Sequence, residues 1–131
     1  MKALLHVSFA GLALAMWAAP TLAHHSFDAQ YDRSKTVVVK GTVTNIEWTN
    51  PHARFYVDVK DPNGRVTNWN MELGSPNLLR RAGWSRNTLK MGDDVTVTAA
   101  LARDGSRMAN ALGVTLAGGK KIFTASSAPA Q

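Results

Sequence analysis

The stretch Lys35–His52, KTVVVKGTVTNIEWTNPH, decides the fold. Val37, Val39, Gly41 and Val43 recur at spacing two, so they share one face of an extended strand. The apolar series then restarts out of phase at Ile46 and Trp48. A slip from odd to even positions inside one strand is what a β-bulge produces. Gly41, without a Cβ, marks a place where the strand coils or another backbone comes close. A long first strand that bends this much suits a small closed barrel better than a flat sheet.

The downstream sequence supplies the partners for that strand. Asn50-Pro51 signals a turn. His52–Lys60 then alternates, with Phe55, Val57 and Val59 on one face and Arg54, Tyr56, Asp58 and Lys60 on the other. Asp61-Pro62-Asn63-Gly64 is a hairpin turn, the proline pre-set for the bend and the glycine free to take positive φ. In Arg65–Leu73, Thr67, Trp69, Met71 and Leu73 oppose Asn68, Asn70 and Glu72, and the asparagines predict a wet or ligand-facing side. Ser75 and Pro76 are an N-cap and a first helical residue. They predict a short helix over Asn77–Ala82, ended by Gly83, with Leu78, Leu79 and Ala82 buried and Trp84 anchoring the exit. Strands are predicted at Asp94–Leu101 and Met108–Leu116, joined by an Asp-Gly turn, with a stub at Lys120–Phe123. Three strands, a helix and two strands give an all-β chain with one short helix, in the order of the OB-fold barrel (β-β-β-α-β-β). Another small barrel or a sandwich is the rival architecture.

The flanks carry the expectation about compartment. In residues 1–23, Lys2 precedes the apolar run Ala3–Ala19, and Thr21-Leu22-Ala23 places small residues where a signal peptidase cuts. The predicted organisation is a signal peptide at 1–23, an arm at 24–34, an OB-like domain at 35–123 and a disordered tail at 124–131. Phe27 and Tyr31, one helical turn apart, are expected to dock the arm on the domain. Removing 23 of the 131 residues leaves 108, beginning at His24, and lowers the net charge from +6 to +5. The expected compartment is the periplasm, with no membrane-spanning segment after cleavage. There a basic protein meets membrane surface, cell wall or acidic protein rather than nucleic acid. The chain has no cysteine, which excludes disulfides, thiolate metal sites, a cysteine nucleophile and a lipid-modified cysteine.

HHSF at the predicted mature start, KGTVTNIEWTNPHA, GSPNLLRRAGW, LKMGDDVTV and RDGSRMANALGVTL together resemble the domain of unknown function 6152 family of exported proteins. The resemblance spans nearly the whole predicted mature chain. It implies export and a small β-rich domain, and it transfers no catalytic role. Where the family pattern carries an aromatic after NPHA, this chain has Arg54, which counts against stacking there.

No catalytic residues are assigned, and no enzyme activity is expected. No nucleophile elbow, paired carboxylates or phosphate-binding glycine loop is legible. The histidines are the sharpest feature. Cleavage would place the α-amino group and imidazole of His24 together. His52 would supply a third nitrogen, with His25 as a substitute, making copper(II) the cofactor that the sequence raises. A mobile polar terminus and a turn histidine are the plainer explanations. For an anionic or peptide ligand the candidates are Arg80, Arg81 and Arg86, clustered with Lys90, and Arg54. The aromatics Trp48, Tyr56 and Trp69 could form a stacking platform. Core or rim packing is the plainer reading for Trp48 and Trp69, and Tyr56, on a face with Arg54 and Asp58, is the better surface candidate. The two functional expectations are thus a metal-binding module and a module that binds an anionic or peptide partner.

Overall fold

The computed structural model describes residues 27–123. Six strands form one sheet: β1 Tyr31–Glu47, β2 Arg54–Lys60, β3 Val66–Glu72, β4 Asp94–Ala102, β5 Met108–Leu116 and β6 Lys121–Phe123. β1 pairs antiparallel with both β2 and β4, β2 with β3, and β4 with β5. A short parallel pairing of β3 with β5, at Asn70–Met108, Met71–Ala109 and Glu72–Asn110, closes a ring of five strands. β6 extends β5 outside the ring. A helix, Pro76–Arg81, lies between β3 and β4. Ring order β1-β2-β3-β5-β4 with a helix after the third strand is the OB arrangement expected from the sequence.

β1 bends as its residue pattern requires. The pairing register with β2 slips between Val43 and Asn45, leaving Thr44 as the extra residue. At Gly41 a Cβ would clash with the Asp58 carbonyl oxygen and come within 2.8 Å of Val57 Cγ1. The glycine therefore admits close backbone approach where β1 passes from β4 to β2. β1 begins at Tyr31, four residues before the predicted start. Its register with β4 slips between Asp32 and Thr36. Asp32 Oδ1 accepts from the Ser34 amide at 3.0 Å and the Ser34 hydroxyl at 2.6 Å, which stabilises the intervening loop. The predicted arm is thus partly strand.

Val39, Val43, Phe55, Val57, Met71 and Val97 fill the ring, joined by Leu79, Trp84 and Leu89 from the helix and the segment after it. Ser75 caps the helix, its hydroxyl accepting from the Leu78 amide at 3.2 Å. Of the three helical residues expected inside, only Leu79 is buried, and Leu78 and Ala82 are exposed. Six residues make too few turns to bury more than one narrow stripe.

A second, smaller apolar cluster lies apart from this core. Phe27 and Tyr31 pack with Ala100, Ala102 and Met108. The two rings sit 5.4 Å apart, and residues 27–30 form a helical turn, a second helical segment beyond the one expected. The small side chains of Ala100 and Ala102 leave room for the aromatics, so the arm docks as its Phe27–Tyr31 spacing implied. Arg103 fastens it: its amide donates to the Gln30 carbonyl at 2.9 Å and its Nε to the Asp28 carbonyl at 2.6 Å. The predicted signal peptide, His24, His25 and the C-terminal tail lie outside the described residues. Among the described residues, no helix is long and apolar enough to cross a membrane.

Candidate functional site

β3 alternates as its sequence requires, with Trp69 and Met71 turned to the core and Asn68 exposed. Glu72 departs from this pattern. It belongs to the polar set, yet it is 2% exposed. Burying a carboxylate without partners is costly, and three donors converge on this one. Tyr31 Oη donates to Oε2 at 2.8 Å, and Arg54 Nη2 donates to the same oxygen at 2.7 Å. His52 Nδ1 lies 3.1 Å from Oε1. Arg54 also donates through Nη1 to Asn70 Oδ1 at 3.2 Å. Met108 Sδ accepts from the same nitrogen at 3.8 Å and from Gln30 Nε2 at 3.7 Å. The docked arm therefore covers the Glu72 end of the expected wet face of β3, while Asn68 at the other end stays exposed. Burial, then the hydrogen bond and charge of Glu72, push the Tyr31 hydroxyl far above the ordinary phenol range.

His52 is only partly covered. Carboxylate oxygens accept and do not donate, so the ring nitrogen facing Glu72 is the one that carries a proton. In a neutral imidazole this leaves Nε2 as the lone-pair nitrogen. A carboxylate behind one nitrogen of a histidine is the arrangement that orients metal-ligating imidazoles. Among the described residues no group of three or more histidine, cysteine or acidic side chains is placed to hold a metal.

The other sequence candidates separate into distinct places. Trp48 and Arg86 line a narrow cleft with Ile46, Phe55, Leu73 and Leu89, and Arg54 borders it too. The Arg80 guanidinium lies 6.0 Å from the centre of the Trp48 ring. Arg80, Arg81, Arg86 and Lys90 are exposed, and residues 73–92 contain no acidic residue. None of the four makes an ion pair with another described residue. Trp69 is 7% exposed and faces the core, while the outward Tyr56 donates to Glu47 Oε1 at 3.2 Å. Burial and that carboxylate raise the Tyr56 hydroxyl pKa. The expected platform of Trp48, Tyr56 and Trp69 is therefore not formed, because period-two alternation puts Trp69 and Tyr56 on opposite faces of the sheet.

Glu72 and Tyr31 were not among the sequence candidates. Part of the signal for Glu72 was available: alternation puts Arg54 and Glu72 on the polar faces of the two hairpin strands, and the observed register, with Asp61 closing on Arg65 and Lys60 opposite Val66, sets them directly across from each other. Opposite charges placed directly across a strand pair attract. Nothing comparable marked Asn110, which is fully buried beside Glu72 on β5.

The fold and site together define a small OB-type ring with an arm closed over a buried carboxylate. The chain belongs to a family of unknown function, DUF6152, whose model matches residues 12–111. No curated protein matches it. Among solved structures it is similar to the mitochondrial single-stranded DNA-binding protein Rim1 of S. cerevisiae. The identity is 14% and the TM-score 0.49, over 63% of this chain and 94% of that one.

Proposed function

We propose that the protein is an exported, periplasmic binding module, not an enzyme, that takes Cu(II) at its mature amino terminus with His52 as a third nitrogen ligand. The observation that carries this reading is the 3.1 Å approach of His52 Nδ1 to Glu72, which leaves Nε2 as the available donor atom. Phe27 is docked on Tyr31, and Tyr31 touches the same carboxylate. His24 precedes Phe27 by three residues, a reach of roughly 10 Å of extended chain. Removal of residues 1–23 would free the His24 amine beside its own imidazole. Two imidazoles and an amine suit the nitrogen-rich tetragonal preference of Cu(II). Calorimetric copper titration of three proteins tests the reading: the chain starting at His24, that chain with His52→Ala, and one with an extra residue before His24. Extension should abolish tight binding by turning the amine into an amide, and His52→Ala should weaken it. Equal affinity in all three overturns it.

A second reading rests on a separate observation, the four exposed side-chain cations around the helix that form no ion pair with another described residue. It is salt-sensitive binding of an anionic or peptide partner: a membrane surface, cell wall or acidic protein. Binding that does not change with salt would count against it.

A further inference from the structure

The helix face has a composition that charge alone does not explain. Its four cations are interleaved with large apolar side chains that the fold leaves uncovered. Leu78, on the helix beside Arg80 and Arg81, is 41% exposed, and Met91, next to Lys90, is 71% exposed. Trp48, half-buried, sits beneath Arg80. Trp48, Arg86 and Leu89 line one apolar cleft, and Leu78 and Met91 lie within two residues of Arg80 and Lys90 along the chain. The cleft, at about 10 Å³, has no room for a ligand group, so a partner must be met by its rim.

We propose that this rim docks on an anionic lipid surface, with Leu78 and Met91 entering the headgroup boundary and Arg80, Arg81, Arg86 and Lys90 contacting the lipid phosphates. The inference rests on the second functional reading above and narrows its partner. A soluble polyanion or acidic peptide would satisfy the cations but gain little from an exposed thioether and isobutyl group. A bilayer interface accepts both kinds of side chain at once, as it does for amphipathic surfaces with basic polar faces. Long basic side chains lie along such an interface with their stems in the apolar layer and their heads at the phosphates. Arg80 over Trp48 already holds a cation against an aromatic ring of the kind that favours the interfacial zone. Residues 73–92 carry no acid, and the Asp93 carboxylate that follows accepts from the Lys90 amide at 2.8 Å.

The test is co-sedimentation of the chain starting at His24 with phosphatidylcholine vesicles, with and without phosphatidylglycerol. Inorganic polyphosphate serves as the soluble polyanion. The protein should bind only the phosphatidylglycerol vesicles, and binding should fall as salt rises. A basic residue near such a surface is worth about fivefold in affinity. The combined Arg80→Ala, Arg81→Ala and Arg86→Ala variant should therefore lose on the order of a hundredfold. Leu78→Ser with Met91→Ser should weaken vesicle binding severalfold and leave polyphosphate binding unchanged. Binding of polyphosphate but not of phosphatidylglycerol vesicles, or vesicle binding indifferent to Leu78 and Met91, overturns the lipid inference and leaves the anionic reading standing. Binding of neither overturns both.

Discussion

Around the docked arm, Arg33, Lys35, His52, Arg54 and Arg103 each lie within 4 Å of a carboxylate oxygen of Asp28, Asp32 or Glu72. Around the helix, the side-chain cations of Arg80, Arg81, Arg86 and Lys90 make no ion pair with another described residue, although the Lys90 amide donates to Asp93 Oδ2. Arg54 borders both regions, since it grips Glu72 and also edges the cleft near Arg86. The difference separates two uses of positive charge. Near Glu72, the Arg54 cation offsets the cost of a buried carboxylate, so it belongs to the structure. On the helix face the cations are solvated, contribute little to folding and remain free for a partner. Substitutions in the two regions should therefore fail in different ways.

The largest effect is expected at Glu72. Glu72→Ala leaves Arg54, His52 and Tyr31 without their shared acceptor and should cost about 3–5 kcal/mol in denaturant unfolding. A loss below about 0.5 kcal/mol would show that the cluster is not structural and would erase the contrast. Leu79→Ala comes next, at roughly 2–5 kcal/mol, because this fully buried side chain ties the helix to the ring core. That result would separate a structural inner side of the helix from its free outer side.

Tyr31 gives a pH-dependent version of the same comparison. Its hydroxyl pKa is raised on folding, so the unfolded chain ionises first, near pH 10. Below that pH the stabilisation is fully present. Above it the unfolded state binds fewer protons than the folded state, and stability should fall by about 1.4 kcal/mol per pH unit. Unfolding measured at successive pH values above 10 should show this excess slope relative to Tyr31→Phe, and equal slopes would contradict the buried Tyr31–Glu72 contact. The smallest effect is expected on the helix face. Replacing Arg80, Arg81 and Arg86 together with alanine should change stability by less than about 0.5 kcal/mol per site, and a larger loss would make them structural after all.

The ring itself was legible because β1 carries its own instructions. The odd-to-even slip after Val43, the bare Cα at Gly41, the Asp61–Gly64 turn and the Ser75-Pro76 helix start all agree with the architecture found. The arm's docking was legible from the spacing of Phe27 and Tyr31. The fate of β3's outer face was not. Alternation states which way Glu72 points, but whether that side meets water depends on a segment arriving from 41 residues earlier in the chain. The same covering layer buries Ala100 and Ala102 on β4. Leu78 shows the converse error, an apolar residue assigned to the inside because helical spacing permitted it, on a helix too short to bury it. The basic cluster was plain in the sequence, whereas its interleaving with exposed Leu78 and Met91 needed the fold.

The proposal that His52 presents Nε2 to a metal while Glu72 holds Nδ1 is tested most directly by pulsed electron paramagnetic resonance of the Cu(II)-loaded chain starting at His24. The remote nitrogen of a copper-bound imidazole modulates the electron spin echo. The account predicts that His52→Ala removes part of this modulation, and that Glu72→Gln, which keeps an acceptor for Nδ1 but not its charge, alters the remote-nitrogen frequencies. Identical spectra for the unsubstituted chain and His52→Ala would contradict it.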